Sequence, residues 1–327
     1  MLENPLVSVV IPIYSVEKYI ARCAESLFTQ TIVDSCEFIF VDDCSPDNSI
    51  AILKNVAKKY PALNIKILTH EKNKGLAGAR NTGLQFVQGT YFINVDSDDW
   101  VEADYLESLV SEAERKDADI TGCNLIYEFS DYSEIIKNPL SDNTETAIRD
   151  LLQGKISGWL VLKLFRTSVF KENDLSWIQG LNMCEDLLIA LKAFYHSKKI
   201  SYIDKSLYHY NRANESSLSA SLNENKVNQL LQVVAEIKKC LYQWNVFDVY
   251  QEDFLCFESR IKIWIVTCSD NLKNEYLSLY NDDCLYRNIN IPLSIRLFHL
   301  FCHYHWFFLC RFAIRFKNSI KRKRGKK

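Results

Sequence analysis

A chain of 327 residues with 48% hydrophobic and 24% charged side chains has ordinary globular composition, with room for one large α/β domain and a smaller appendage, which excludes a disordered or fibrous protein. The net charge of −2 hides an asymmetry: residues 311–327 carry nine basic and no acidic groups, leaving 30 basic against 41 acidic groups in residues 1–310, an acidic body that argues against a nucleic-acid partner. The 11 cysteines are odd in number and scattered, with no C-x-x-C pair, so they read as reduced, mostly buried thiols rather than zinc ligands or a redox couple.

Met1 to Val10 lacks the basic segment and apolar run of a secretory signal, so a cytoplasmic chain is expected. Val7–Ile11, stopped by Pro12, and Glu37–Val41 are β-branched and aromatic runs that read as buried parallel strands. Between them Glu17–Gln30 has helical spacing of apolar groups, with Ser15 placed to cap it. The alternation continues with helix Pro46–Tyr60, strand Ile65–Thr69, helix Leu76–Val87, strand Tyr91–Val95, helix Ala103–Lys116 and strand Asp119–Cys123. Such alternation predicts a doubly wound, mainly parallel sheet, whose ligands bind beyond the carboxyl ends of the strands.

Further on, Glu128–Thr144 reads as a polar surface insertion, Trp159–Phe165 as a strand, Cys184–His196 as a helix and Ile200–Tyr210 as a pair of strands. From about Leu222 the pattern is helical. The Ser-rich stretch 216–221 marks a boundary, giving an α/β domain over 1–218 and a helical region over 219–327.

Acids gather at the strand ends. In Asn94-Val-Asp96-Ser97-Asp98-Asp99-Trp100 three carboxylates crowd together, and mutual repulsion calls for a cation to offset them; Mg2+ or Mn2+ takes carboxylate and phosphate oxygens together. Taken alone, an Asp-x-Asp reads first as a solvated turn or helix cap. A second acidic strand end, Asp42-Asp43, followed by Asp47 and Ser49 at a helix start, changes that reading. Two acidic ends on neighbouring strands are the elements of a nucleotide-diphosphate pocket. The Asn73–Gly83 segment adds three glycines, which let backbone approach a ligand, and Arg80, a fork suited to phosphate or to the nearby acids.

Four motifs in order carry a resemblance: Val-Ser-Val-Val-Ile-Pro12-Ile-Tyr14, Val-Asp-Asp43-Cys-Ser-Pro-Asp-Asn-Ser, Asn73-Lys-Gly-Leu-Ala-Gly-Ala-Arg80-Asn-Thr-Gly83 and Asp96-Ser97-Asp98-Asp99. Residues 6–100 resemble the N-terminal half of inverting glycosyltransferase family 2 with its GT-A fold. Ser15 and Cys44 depart from the residues usual there. The resemblance implies a nucleotide-sugar site of Pro12, Tyr14, Asp43, Asn73, Arg80, Asp96 and Ser97, with Tyr14 stacking on the base, Asp43 bonding a uracil, Asp96 near the ribose or metal and Asp98 binding the metal. Arg80 as an internal ion-pair anchor is an equal alternative.

The same resemblance places the catalytic base in Glu185-Asp186, with Asp186 removing the acceptor proton and Glu185 orienting it or binding the acceptor. Trp159 and Trp177 are candidate faces for a sugar ring, or core residues. Tyr208-His-Tyr-Asn-Arg212 resembles a loop that closes over the diphosphate, with Arg212 neutralising phosphate; His209 reads first as packing or surface rather than as a metal ligand.

Leu297–Ile314 is aromatic but too short and polar to span a bilayer, and with the basic tail behind it reads as an interfacial helix attracted to anionic lipid. The whole predicts a UDP-sugar transferase working on a lipid-linked bacterial surface glycan (capsule, exopolysaccharide or O-antigen) at the inner face of the cell membrane. A polyprenyl-phosphate sugar transferase of the same fold and an inactive nucleotide-sugar binding protein are the alternatives.

Overall fold

The computed structural model describes residues 4–212 and 223–268, with isolated positions between 293 and 309. The chain divides into two compact units, Met1–Ser217 and Leu218–Lys327.

In the first unit the chain runs β1 (Val7–Ile13), α1 (Ile20–Phe28), β2 (Cys36–Asp42), α2 (Ser49–Ala57), β3 (Asn64–Thr69), α3 (Gly75–Gln85), β4 (Tyr91–Asn94), β5 (Trp100–Val101), α4 (Tyr105–Lys116), β6 (Ile120–Glu128), β7 (Ser133–Ile136), α5 (Thr144–Gln153), β8 (Lys163–Arg166), α6 (Thr167–Lys171), α7 (Glu185–His196) and β9 (Ile200–Asn211). One sheet holds the strands in the order β3-β2-β1-β4-β8-β6-β9-β5, with β7 pairing on β6. β1, β2, β3 and β4 are parallel; β8 runs antiparallel to β4 and β6, and β9 runs parallel to β6. The architecture is therefore the expected mixed, mainly parallel α/β sheet flanked by helices.

β1, β2 and β4 are buried along their whole length, as strands covered by helices on both faces must be. α1 turns Ile20, Cys23, Ala24, Leu27 and Phe28 inward at helical spacing, and Phe28 meets Phe38 and Phe40 edge-on at 5.2 and 5.9 Å. Burial of Ile20, Leu27 and Phe28 stabilises the fold by about 1.5–3 kcal/mol each. α3 lies close on β1 because residue 83 is glycine: a Cβ there would stand 2.3 Å from Val10 Cγ1.

Several boundaries differ from the sequence reading. β1 passes through Pro12 to Ile13, because the last β1–β4 pair is Val10 with Asn94 and no ladder partner faces Pro12 on that side. Ser15 does not cap α1; it sits at φ 56° with its amide on Ser45 Oγ, and Tyr19 precedes the helix. The 128–144 stretch contains β7, so β6 and β7 form a hairpin. Trp159–Phe165 begins as a 3-10 turn over Leu160–Leu162 and becomes strand only at Lys163. Ile200–Tyr210 is one strand rather than two, since Asp204 and Lys205 lie at an irregularity in the β6–β9 pairing instead of a turn.

In the second unit α8 (Glu224–Gln243), capped by Asn223 on the Lys226 amide, and α9 (Phe247–Cys268) pack on each other, with Tyr242 stacked on Phe247 at 4.2 Å. Cys23, Cys36, Cys123, Cys240 and Cys256 are buried and in no disulfide. No helix among the described residues is long and apolar enough to cross a membrane, and the aromatic, basic segment beyond 297 lies almost wholly outside them.

Candidate active site

The parallel strands deliver their acidic ends to one edge of the sheet, and Arg80 of α3 stands at its centre. Arg80 is 1% exposed, and its guanidinium donates to Asp96 Oδ1 (3.1 Å), Glu185 Oε1 (3.0 Å) and Asp186 Oδ1 (2.5 Å). Burial works against this charge, but the three carboxylates more than offset it and keep the guanidinium protonated. One cation thus gathers acids from the turn after β4 and from the first turn of α7, three elements distant in sequence. Arg80 is the internal anchor of the site, and its Nε is buried without a partner.

The acids outnumber the cation, and their protonation shows it. Burial pushes Asp96 upward; Arg80 opposes this while Asp186 and Asp98 add to it, and the 31% exposure of the Asp96 side chain lets solvent moderate the shift. Glu185, at 10% exposure, is pushed up by burial and by Asp186 against the pull of Arg80. Both acids of α7 lie at its positive end, where the helix favours negative charge. Cys184 precedes them in the left-handed region at φ 54°.

The Asp96–Asp99 turn is stitched to the end of β9. Asp99, 2% exposed, accepts from the Tyr208 hydroxyl (2.7 Å) and the Asn211 amide (2.8 Å), and Tyr208 in turn accepts from the Asp96 amide (3.2 Å). Burial, with Asp98 and Asp96 beside it, still holds Asp99 well above the usual carboxylate range. Asp98 remains half-exposed at the turn, with its carbonyl accepting from Asn211 Nδ2 at 3.3 Å, and Ser97 is buried.

Asp43 has a different setting. Its Oδ1 accepts from His70 Nδ1 and the Lys74 amide, both at 2.7 Å, and its Oδ2 accepts from the Gly75 amide at 2.8 Å. Asn73 bonds the Asp43 carbonyl through Nδ2 (3.1 Å) and the Gly75 amide through Oδ1 (3.0 Å), closing the turn into α3. His70 Nε2 meets Thr82 Oγ1 at 2.9 Å. His70 escaped the sequence reading; its signal was its place at the end of β3, on the same edge as the acids. Gly78 and Gly83 of α3 serve packing: a Cβ on Gly83 would strike Val10 and one on Gly78 would strike Lys74. Tyr14 is 51% exposed just beyond Pro12, which is buried inside β1. Asp47 tethers α2 to the loop after β1: burial raises it, but bonds from Ser45, Ser49 and the amides of Glu17 and Ser49 bring it down to about 2.

On the far side of the acids, Trp177 is 4% exposed and packs near Phe170, which makes it a core residue rather than a sugar platform. Trp159 stacks on Tyr210 (6.5 Å) and meets Tyr127 edge-on (6.1 Å), and the Arg212 guanidinium lies over Tyr127 (5.1 Å) and Tyr210 (5.9 Å). His209 stacks on Trp100 (5.0 Å) and spends both ring nitrogens on Glu102 and Glu128, so it is a packing residue. Among the described residues no three His, Cys, Asp or Glu side chains are arranged to hold a metal by themselves. Asp98 with Asp96 suits a hard cation that takes one or two carboxylates and completes its shell with phosphate and water, and the excess of acids over Arg80 favours a dication there.

A mainly parallel sheet that brings an Asp-x-Asp turn and a second acidic pair to one edge defines a GT-A architecture of the nucleotide-sugar-transferase type. The chain belongs to glycosyltransferase family 2: the model described as Glycosyl transferase family 2 matches residues 8–173. Two Bacillus subtilis glycosyltransferases are similar to it. EpsH is 33% identical over 217 residues, 64% of this chain and 61% of EpsH, and EpsJ is 32% identical over 245 residues, 73% of this chain and 70% of EpsJ. The crystal structure of Staphylococcus aureus TarS residues 1–349 in complex with UDP-GlcNAc superposes with a TM-score of 0.71 at 21% identity, covering 90% of this chain and 86% of that one, which shows a shared fold.

Proposed function

We propose that this protein transfers a sugar from a UDP-linked donor to a bacterial surface glycan with inversion, forming a β-linkage, and that Asp186 is the base. The observation that carries this reading is the meeting of Asp186, Glu185 and Asp96 on the buried Arg80, which joins the donor edge of the sheet to a second acidic pair. Asp186 keeps 19% of its side chain exposed and gives only one oxygen to Arg80. It would take the acceptor hydroxyl proton as that oxygen bonds the anomeric carbon on the face opposite the departing diphosphate. Glu185 holds Arg80 in place from the buried side.

On the donor side, exposed Tyr14 offers a ring for the base, and Asp43 retains an acceptor position for a uracil N–H beyond its three bonds. Asp98, with Asp96, would hold Mg2+ or Mn2+, which supplies charge stabilisation for the leaving diphosphate. Arg212, held over Tyr127 and Tyr210 at the end of β9, stands ready to neutralise phosphate. The acceptor is a glycan built on a lipid carrier at the cytoplasmic face of the membrane, where the basic tail would hold the protein.

The test is incubation of the full chain with a panel of UDP-sugars, Mn2+ and simple glycoside acceptors, with proton NMR of the product. A β-anomeric product from an α-linked donor, lost on chelation by EDTA, is the expected result. Retention of configuration would overturn the base assignment, and full activity in EDTA would overturn the metal.

A further inference from the structure

One buried ion lies outside this chemistry. Lys163, the first residue of β8, is fully buried and pairs with no carboxylate among the described residues. Its ammonium donates instead to two backbone carbonyls, those of Ser157 (2.9 Å) and Trp159 (2.8 Å). Burying an ammonium is costly, and a methionine of similar length would fill the space without that cost. The carbonyls it grips therefore require an explanation.

They belong to a strap, residues 157–160, that lies on the start of α7. A Cβ on Gly158 would stand 2.5 Å from Leu187 Cα and 2.8 Å from Leu187 N, so only glycine admits this approach to the turn carrying Glu185 and Asp186. Two residues on, the Leu160 amide faces Asp186 Oδ2 at 3.5 Å, the outer limit of a hydrogen bond. From the other side Asn138 Oδ1 accepts the Ser157 amide (2.7 Å) and hydroxyl (3.0 Å), and the Asn138 amide is held by Asn124 Oδ1 (2.9 Å). Arg80 thus fixes one oxygen of Asp186, and the strap meets the other.

We propose that Lys163 is a positioning residue: by clamping the Ser157 and Trp159 carbonyls it holds the strap against α7 and sets the direction of the second oxygen of Asp186, the one left for the acceptor. The inference rests on Asp186 acting as base. A shift of about 1 Å at a reacting group lowers rate on the order of 100-fold, so loosening the strap affects turnover before it affects donor binding.

The experiment compares full-length Lys163→Met, Lys163→Arg and Asp186→Asn with wild type. Release of UDP from UDP-glucose and UDP-N-acetylglucosamine is followed with Mn2+ and a panel of p-nitrophenyl β-glycosides, and UDP binding and thermal unfolding are measured alongside. In Lys163→Met, kcat falls about 10- to 100-fold, donor KM and UDP affinity stay within about twofold, and unfolding occurs at the same or higher temperature; Lys163→Arg recovers part of the rate. A crystal structure of Lys163→Met shows the Leu160 amide moved off Asp186. Wild-type kcat in Lys163→Met with Asp186→Asn dead overturns this inference alone, as does an unmoved strap. Loss of rate, UDP affinity and stability together marks a merely structural lysine and also overturns it. Transfer surviving in Asp186→Asn removes the base and the inference with it.

Discussion

Two buried carboxylate clusters stand at the same edge of the sheet and are settled in opposite ways. At Asp43 the charge is met by the amides of Lys74 and Gly75 and by His70, groups that belong to the turn into α3 and to the end of β3. At Arg80 one guanidinium serves three carboxylates, with Asp98 and Asp99 close by, and burial and mutual repulsion push Asp96, Glu185 and Asp99 toward protonation. The charge of the first cluster is met within the fold, with one acceptor position of Asp43 left over. On the proposed reading the second cluster would use its remaining carboxylates, Asp186 for an acceptor proton and Asp98 with Asp96 for a diphosphate-bound cation, and that would separate a reacting edge from a capped helix.

Removing the cation attacks this difference most directly. Arg80→Met should cost about 3–5 kcal/mol in urea unfolding, because it strands buried carboxylates that neutral packing cannot offset; a loss under about 1 kcal/mol would mean that the acids are solvated and the cluster is not held by Arg80. The first cluster should respond less. Asp43→Ala frees two backbone amides and His70, so a loss of about 1–3 kcal/mol is expected, with faster hydrogen exchange confined to the first turn of α3.

Lys163 provides a pH test of the strap. Burial pushes its ammonium down to about 7, whereas an unfolded lysine titrates near about 10.4. Between these values the unfolded chain holds a proton that the folded chain has released, so stability rises with pH, by up to about 1.4 kcal/mol per unit. Below about pH 7 both states are charged and the burial penalty is at full size. The difference in stability between wild type and Lys163→Met should therefore change in favour of wild type as pH rises from about 7 to about 10; a constant difference would show that folding leaves the lysine's pKa unshifted and that burial imposes no net penalty on its ammonium. Smallest is Tyr208→Phe, which removes the hydroxyl between Asp99 and the Asp96 amide and should cost about 1 kcal/mol by urea unfolding.

Much of this arrangement was legible in the sequence. The runs Val7–Ile13 and Cys36–Asp42 are apolar enough to permit only buried strands, and acids placed directly after such runs cannot avoid the carboxyl edge. Asp96 and Asp98 follow that logic, while Glu185 and Asp186, at the start of α7, were singled out by family resemblance. What strand pattern cannot carry is direction and partnership. The reversal of β8 between β4 and β6 follows from tertiary pairing, not from the four residues Lys163–Arg166 themselves. The single strand β9 was hidden because Asp204 and Lys205 resemble a turn, while in the sheet Asp204 is satisfied by Asn124, Tyr202 and Lys137. Arg80 looked as much a phosphate ligand as an anchor, since nothing local shows that acids 105 and 106 residues away will fold onto it.

The central claim is that Asp186, held by one oxygen on Arg80, takes the acceptor proton in the transfer. Asp186→Asn keeps the size of the side chain and one acceptor oxygen for Arg80, while removing its basicity and the second acceptor that faces the Leu160 amide. With a UDP-sugar, Mn2+ and a working acceptor, this variant should bind UDP as wild type does and lose about 10²–10⁴-fold in turnover. Turnover within about threefold of wild type with UDP affinity unchanged would contradict the account.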